Sequence, residues 1–354
     1  MREMTSRERI LAAINHEKID RVPTDIWATE EVMEKLRKRF GTDEDVRKAL
    51  HIDGTAWISP QYAGPPLPKY PDGSFIDYWG MVFKPVKYAD GTYGEQTVFP
   101  LSNATKIADL EAYKWPTTDL FDYKAFRATV EKEHRSRVVV VGYMMPFYWH
   151  NTLRGLELSM MDVLVDPEFT HYLLERLCDF LYQHHRRIFE TCEGFIDLAH
   201  VSDDLGCQTG PLISLEIFRE FYAPYHKKFI GLCREFGIKV FHHDDGAMRP
   251  FLPELVEMGI DVLNPVQWTC PDMDMAELKA EFGKKICFHG AVENQRILPF
   301  GTEKEVRAEV RHCIDALASD GTGYILASCH NLQPITPIEN IIAMYDEAWK
   351  YGKF

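Results

Sequence analysis

The sequence predicts the α/β fold class: residues 1–354 form a single (β/α)8 TIM barrel, with an antiparallel insertion at 61–115 between the second and third barrel strands. Three observations predict this fold. Short apolar runs rich in β-branched residues alternate with helical patterns, which is typical of βα units around a parallel sheet. Several runs, such as 138–141 and 324–327, are apolar on both faces, as strands buried on both sides are. Counted along the chain, the runs reach the eight that close such a barrel.

The candidate strands are spread over the whole chain, and the count of eight depends on accepting the two N-terminal ones, whose pattern is weakest. They lie at 21–27, 54–60, 138–144, 196–202, 239–243, 261–267, 285–290 and 324–329.

Helix boundaries are readable between these strands. Asp166 is an N-cap followed by proline, and Thr302 with Glu305 forms a capping box. His184 and His185 lie in the middle of a predicted helix beside two arginines, and this surrounding predicts a solvated face.

The stretch 61–115 interrupts this alternation. It is rich in Gly, Pro and aromatic residues, and 88–93 has the pattern of a hairpin turn between two strands. We expect it to lie over one mouth of the barrel. Both a role as a lid that shapes the substrate pocket and a role as a plain surface loop remain open.

Composition and missing motifs exclude several functions. The 40 Lys and Arg against 54 Asp and Glu give a net charge of −14, which argues against a nucleic-acid binder. No apolar run is long enough for a membrane span and no signal-peptide core is present, so we expect a soluble, cytoplasmic protein that acts on a small molecule, with a homodimer left open. Dinucleotide-binding, P-loop and serine-hydrolase motifs are absent. The eight cysteines include no Cys-x-x-Cys pair and predict reduced core thiols.

Polar residues at the ends of the last five strands mark the candidate site, because the active site of such a barrel lies at the C-terminal ends of its strands. They are Ser202, Asp203, Asp204 and Gln208; His242, His243, Asp244 and Asp245; Asn264, Gln267 and Trp268; His289, Glu293 and Asn294; and Ser328, Cys329, His330 and Asn331.

His243 and Asp245 are the strongest candidates among them. Alternate residues at a strand end share a face, so both side chains can point into the mouth while His242 and Asp244 point away. With the thiolate of Cys329 from the last strand they would suit Zn²⁺ with an open fourth position. A metal-free acid/base pair and a purely structural His-Asp pair remain open.

Other rim residues are predicted to line a substrate pocket, although the Asp-Asp pair could instead bond the backbone of its own turn. This predicted set is Asp203, Asp204, Gln208, Gln267, His242 and His330. His289 is predicted to act with His243 and Asp245 in catalysis.

Several segments resemble the uroporphyrinogen decarboxylase superfamily, in order and over nearly the whole chain. They are Thr5-Ser6-Arg7-Glu8-Arg9, Asp20-Arg21-Val22-Pro23, the strand end at 243–246, 257–261, Phe288-His289-Gly290-Ala291-Val292, 323–326 and 336–341. The resemblance implies one (β/α)8 barrel with its site at the C-terminal rim. It also implies one of two activities, tetrapyrrole decarboxylation or zinc-dependent methyl exchange with corrinoid proteins.

The chain departs from the true decarboxylases and is more similar to the methyltransferase branch. The decarboxylases carry arginines after the first strand that hold the carboxylates of the tetrapyrrole, whereas 25–31 here contains none. The methyltransferases hold zinc with a His-x-Cys pair and a distant Cys. These positions correspond here to His243, Asp245 and Cys329, so a carboxylate replaces one thiolate.

This replacement leads to the main functional hypothesis. A carboxylate ligand gives a harder Lewis acid that suits an oxygen substrate. We therefore expect zinc-dependent methyl transfer between a small O-linked methyl compound and a corrinoid (cobalamin) protein. The alternatives are a metal-independent decarboxylase or lyase acting on a small carboxylate, with His243 and Asp245 as acid and base and His289 as their partner, and a non-catalytic barrel that binds a ligand or a corrinoid partner.

Overall fold

The structure, a computed structural model, describes residues 3–88 and 91–354. The hairpin turn predicted at 88–93 has its tip at Ala89 and Asp90, which lie outside the described residues.

The α/β class predicted from the sequence is confirmed. The strands are β1 (Thr55–Trp57), β2 (Gln61–Tyr62), β3 (Phe75–Ile76), β4 (Val82–Tyr88), β5 (Gly91–Val98), β6 (Phe121–Asp122), β7 (Val138–Met144), β8 (Leu198–Val201), β9 (Gly206–Cys207), β10 (Gly210–Pro211), β11 (Lys239–His243), β12 (Val262–Asn264), β13 (Cys287–Val292) and β14 (Tyr324–Ser328). Seven of them form a parallel sheet in the order β1-β7-β8-β11-β12-β13-β14.

Helices connect these strands and cover the outside of the sheet. They are α1 (Ser6–Ile14), α2 (Glu30–Phe40), α3 (Asp43–Ala49), α4 (Ile107–Ala112), α5 (Tyr123–Glu133), α6 (Pro146–Arg154), α7 (Leu156–Val165), α8 (Pro167–Thr191), α9 (Leu215–Ile217), α10 (Ala223–Glu235), α11 (Leu252–Met258), α12 (Met275–Phe282), α13 (Ile297–Phe300), α14 (Glu303–Leu317) and α15 (Ile338–Tyr351), with a π-helical turn at Phe218–Tyr222. Among the described residues, no helix combines the length and the apolar character that a membrane crossing requires.

The eighth side of the barrel is closed by the extended segment 21–28 rather than by a regular strand. Thr24 forms a parallel bridge with Leu326 of β14, and the amides of Asp53 and Gly54 both bond to the carbonyl of Thr24. The predicted first strand therefore occupies its expected place, between β14 and β1. Its ladder stays irregular because the amide of Thr55 bonds to the side chain of Asp25 at 3.0 Å instead of to a backbone carbonyl.

Between β1 and β7 the chain leaves the barrel and forms two small antiparallel sheets, β2 with β6 and β3-β4-β5. The hydroxyl of Tyr88 lies 3.1 Å from Oε1 of Gln333, and the amide of Thr92 bonds to Glu31 at 3.1 Å. The β4-β5 arm thus packs against the loop that follows β14 and against the first turn of α2. That 61–115 acts as one lid stays a prediction.

The predicted solvated face for His184 and His185 is wrong, since both are buried in α8. The hydroxyl of Tyr123 lies 2.7 Å from Nδ1 of His184, and the amide of Tyr143 donates to Nε2 of His185 at 3.2 Å. Two adjacent helix residues can both reach the core because the buried face of α8 is wide. The arginines that follow them occupy the outer edge of that face.

Candidate functional site

The two histidines that end β11 point to opposite sides of the sheet. His243 points into the barrel, where its ring lies 5.5 Å from that of Trp27 and 5.9 Å from that of His200. His242 points into the helix layer: Nδ1 lies 2.8 Å from the carbonyl oxygen of Val201, and its ring lies 5.8 Å from that of His226. The expectation that His242 lines the substrate pocket is therefore wrong, because strand alternation places it behind the sheet.

Asp203 and Asp204 separate in the same way. Asp203 is fully buried; one carboxylate oxygen lies 2.7 Å from Nε2 of His226 and the other accepts the amide of Tyr148 at 2.9 Å. Burial raises the pKa of Asp203 well above its ordinary value. Its predicted place in the substrate pocket is wrong, because its side chain ties the loop after β8 to helices α6 and α10. Asp204 points the other way, into a large cavity.

A hydrogen-bonded chain of side chains runs from Asp25 to His243. Oδ1 of Asn264 lies 2.6 Å from Nδ1 of His243, and Nδ2 of Asn264 lies 2.7 Å from Nδ1 of His289. Nε2 of His289 lies 3.1 Å from Oδ2 of Asp25. With the amide in this orientation, His243 donates from Nδ1 and keeps the lone pair of Nε2 for the cavity. The chain therefore selects the tautomer that can bind a metal or take a proton.

Asp25 holds the far end of this chain. Burial by itself raises the pKa of its carboxyl, but hydrogen bonds from His289 and Thr55 prevail and lower that pKa below the ordinary value. An ionised, buried carboxylate that accepts from His289 fixes the orientation of that ring, and through Asn264 it also fixes that of His243. His289, predicted as catalytic, thus lies behind His243 and is not among the described residues that line the large cavity next to Asp204.

Three side chains bring possible metal-ligand atoms together: His243, Asp245 and His330, whose ligand atoms all lie within 4.8 Å of one another. Oδ2 of Asp245 lies 3.7 Å from Nε2 of His243 and 3.6 Å from Nε2 of His330. Ligands of tetrahedral zinc at bond lengths of about 2.0–2.2 Å lie roughly 3.3–3.5 Å apart, so a shift of a few tenths of an ångström would bring this pair of contacts into range. The donor set fits zinc.

Cys329, predicted as the third ligand, is not part of this group in the described structure. Its Sγ lies 3.9 Å from the carbonyl oxygen of Val266, and its side chain borders a cavity next to Asp245. Burial, together with the charge of Asp245, raises the pKa of the Cys329 thiol well above its ordinary value. His330, one residue further and predicted only as a pocket residue, takes the place near Asp245.

Asp204 adds a second carboxyl beside His243, with 3.8 Å between Oδ1 and Nε2. Burial raises the pKa of Asp204 to about 7; the charge of His243 opposes this shift, and the neighbouring carboxylates Asp244 and Asp245 add to it. A carboxyl with such a pKa exchanges a proton near neutral pH and is suited to general acid or base catalysis.

Glycine at 246 lets the loop after β11 approach the loop after β8. Its φ is +82°, and a Cβ there would lie 2.6 Å from the carbonyl oxygen of Cys207. The amide of Gly246 donates to Oε1 of Gln267 at 2.9 Å. These contacts leave little freedom to the backbone that carries Asp245.

Two cavities meet at this cluster. The larger one, of about 840 Å³, has mostly aromatic walls and is bordered by His243, Asp204 and His330. Its aromatic lining is Trp27, Trp57, Tyr62, Tyr78, Phe121, Tyr143, Tyr148, Trp149 and Phe180. The second, of about 510 Å³, is bordered by Asp245, His330, Gln208 and Gln267. Of the described residues that line either cavity, none is Lys or Arg.

Sequence reasoning overlooked four parts of this site: Asp25, Trp27, His200 and the bridging role of Asn264. Asp25 and Trp27 belong to the first barrel strand, and the rule that strand ends carry the site would have pointed to them if it had been applied there. No sequence signal marks Asn264 as the bridge between His243 and His289, because the bridge depends on the spacing between neighbouring strands.

Comparison with known proteins identifies related chains. The family model described as uroporphyrinogen decarboxylase (URO-D) matches residues 85–351. Curated uroporphyrinogen decarboxylases of Bordetella petrii and Dechloromonas aromatica are 24% and 22% identical over 151 and 182 residues, which are 41% and 48% of this chain. These alignments span 40% and 49% of the two relatives, less than half of their length. A methyltransferase from Methanosarcina mazei has a similar fold over 99% of both chains, with a TM-score of 0.69 and 17% identity.

Proposed function

Because the chain belongs to the uroporphyrinogen decarboxylase (URO-D) family, we propose that it is an enzyme of this family that transfers a methyl group from a small methoxy compound to a corrinoid carried by a partner protein. The observation that supports this proposal is the cluster of His243, Asp245 and His330 at the junction of two cavities. Its donor atoms match a zinc site, and a ligand in either cavity would reach it.

The walls of the larger cavity favour a methoxy compound with an apolar body over a tetrapyrrole. Among its described lining residues there is no cation to pair with the carboxylates of a porphyrinogen, while Asp204 and the net charge of −14 repel them. Flat aromatic walls such as Trp27 and Trp57 instead offer stacking surfaces to an aromatic ring. We therefore take an aryl methyl ether as the substrate to test first.

His243, Asp245 and His330 would hold the zinc, and zinc when bound supplies a Lewis acid for the leaving oxygen. The chain's own contribution is orientation. Asn264 keeps Nε2 of His243 free of its proton, and Gly246 fixes the backbone next to Asp245. The aromatic walls exclude water from the methyl group.

In the proposed reaction the bond between the methyl carbon and oxygen breaks, and a carbon–cobalt bond forms. The electron pair of Co(I) makes the new bond, so cobalt is formally oxidised to Co(III). The pair of the broken bond stays on oxygen, which takes up one proton. Asp204, whose Oδ1 lies 3.8 Å from Nε2 of His243, is the carboxyl beside the candidate site that can deliver this proton.

The test combines metal analysis with methyl transfer. Protein purified without chelator should contain about one zinc per chain, and with ¹³C-methyl-labelled guaiacol and Ti(III)-reduced cobalamin it should form ¹³C-methylcobalamin without oxygen. His243→Ala should lose both zinc and transfer, whereas His171→Ala, an exposed histidine of α8, should keep both. A zinc-free wild type with undiminished transfer would disprove the metal role, and a zinc-loaded wild type that transfers no methyl group from any methoxy compound would disprove the reaction.

One observation favours a second candidate, metal-independent acid/base chemistry such as decarboxylation. The hydrogen-bonded side chains of Asp25, His289 and Asn264 orient His243 as they would orient a general base. Oδ2 of Asp245 lies 3.7 Å from Nε2 of that histidine. This candidate requires activity on a small carboxylate that persists after zinc is removed with chelator.

A further inference from the structure

The second cavity has a lining unlike that of the first. Six of its nine lining residues are carboxamides: Gln208, Gln267, Asn294, Gln295, Asn331 and Gln333. We call this cavity the carboxamide chamber. It shares His330 and Asn331 with the aromatic cavity, so a ligand in each would face the other across the candidate metal site.

Most of these carboxamides have hydrogen-bonding capacity left over. Within the part of the chain that the structure describes, only two have side-chain hydrogen bonds: Oε1 of Gln267 accepts from Gly246, and Oε1 of Gln333 accepts from Tyr88. Gln267 is only 7% exposed, yet its amide nitrogen bonds to no described residue. Gln208 and Gln295 are exposed and meet solvent, whereas buried polar groups are normally paired, so the amide nitrogen of Gln267 in particular is free for a water or for a ligand.

The chemistry of the lining restricts the ligand. No Lys or Arg is among the described residues that border the chamber, which excludes an anion as the preferred ligand. Among the described lining residues His330 carries the only ring that could stack on a sugar face, and the carboxylate of Asp245 belongs to the candidate metal site. A carboxamide both donates and accepts, so its best neutral partner is another amide.

Resting on the proposed function, we propose that the carboxamide chamber receives the amide-bearing edge of the corrin ring. Corrinoids carry acetamide and propionamide side chains around the macrocycle, and these match the chamber as donors and acceptors. A corrin bound there would hold its cobalt toward the aromatic cavity, where the methyl donor lies. In this proposal the aromatic cavity binds the methyl donor and the carboxamide chamber binds the methyl acceptor.

The test compares two corrinoids that differ in their side chains. Dicyanocobinamide keeps the amides, whereas dicyanocobyrinic acid heptamethyl ester has esters that cannot donate. Equilibrium dialysis with the wild type should show at least tenfold tighter binding of cobinamide, because each unmade hydrogen bond costs about fivefold in affinity. The double variant Asn294→Leu/Gln295→Leu should weaken cobinamide binding by about 25-fold and ester binding by less, because the ester can lose only the bonds in which it accepts. Gln183→Leu, an exposed glutamine on α8, is the matched control and should bind both like the wild type.

Three results would contradict the proposal that the chamber binds the corrin: no cobinamide binding by the wild type, equal binding of cobinamide and the ester, or an unchanged affinity of the double variant for cobinamide. Failure of the proposed function has a different signature, the absence of methyl transfer from any methoxy compound by the zinc-loaded wild type. If the double variant transfers methyl groups with an unchanged KM for cobalamin, the proposed function stands and the chamber does not.

Discussion

Carboxylates lie at both ends of the barrel, and they are treated in opposite ways. At the N-terminal ends of the strands, three aspartates each precede a strand, accept an amide from the neighbouring strand and pair with a cation. They are Asp53 with the amide of Thr24 and Arg21, Asp197 with the amide of Val139 and Arg7, and Asp261 with the amide of Val240 and Lys239. We call this end of the barrel the closed end; each of its three carboxylates has a cationic partner.

At the C-terminal rim, histidines are the only charged partners that the described residues offer to the carboxylates of Asp204 and Asp245, at 3.6–3.8 Å. Oδ1 of Asp204 makes no hydrogen bond with the described residues. The difference indicates that the paired carboxylates at the closed end stabilise the fold, whereas those at the rim remain available to bind a metal or a substrate. Breaking a contact should therefore cost folding free energy at the closed end, and metal or substrate affinity at the rim.

The largest expected effect is at the closed end. Asp53→Asn leaves the buried guanidinium groups of Arg9 and Arg21 without their shared counter-charge, and should lower the free energy of unfolding by about 3–5 kcal/mol. Denaturant unfolding of the wild type and the variant measures it. Asp261→Asn is the matched control; its pair with Lys239 is about one-third exposed, so the expected loss is only about 1 kcal/mol or less. Equal losses in the two variants would contradict the comparison.

Lowering the pH should reduce the free energy of unfolding through the buried histidine His150 before it affects the ion pairs at the closed end. Burial, with the charge of Arg154, lowers the pKa of His150 to about 3, so between about pH 6.5 and 3 the unfolded chain binds a proton that the folded chain does not. The stability that comes from keeping His150 neutral is complete above pH 6.5 and is lost as the pH falls, by about 2 kcal/mol at pH 5. Asp20, whose pKa is lowered to about 2 because its bonds with Arg9 outweigh burial, changes stability little between pH 7 and 5, since its contribution is lost only as the pH falls below about 4.

The measurement is the slope of unfolding free energy against pH between 7 and 5. His150→Phe should reduce this slope by about 0.7 proton on average, approaching one proton near pH 5, even if the loss of its contact with the hydroxyl of Tyr222 lowers stability at every pH. An unchanged slope would mean that His150 is not held neutral.

At the rim, the hydrogen-bonded chain behind His243 should affect metal affinity more than folding. Asn264→Leu removes the acceptor for Nδ1–H of His243 and should weaken zinc binding about tenfold, the lower range for loss of such supporting contacts. Asn264→Asp keeps an acceptor and should retain the affinity. Competition with a zinc chelator provides the measurement; equal affinity in the Leu variant would show that His243 is oriented without Asn264.

Individual residues show which parts of the candidate site can be predicted from the sequence and which cannot. Alternation within β11 predicts the opposite orientations that the structure shows for His243 and His242, because both belong to the ladder, whereas a functional site at the rim stays a prediction. The same rule did not resolve Cys329 and His330, because β14 ends at Ser328 and alternation no longer holds beyond it. Asp25 is 264 residues from His289 in sequence, and only the closed sheet shows that they touch.

The smallest expected effect tests that last difference. Two neighbouring residues, Cys329 and His330, are candidates for the third zinc ligand. Of these two, only His330 has its imidazole close to the ligand atoms of His243 and Asp245. Since the sulfur of Cys329 lies outside this group of ligand atoms, Cys329→Ser should change zinc affinity by less than about twofold, whereas His330→Ala should reduce it far more. The reverse order would restore the ligand set predicted from the sequence. It would also require the end of β14 to turn the thiol toward Asp245 when zinc binds, which makes the rim, unlike the closed end, a part of the fold that its ligand rearranges.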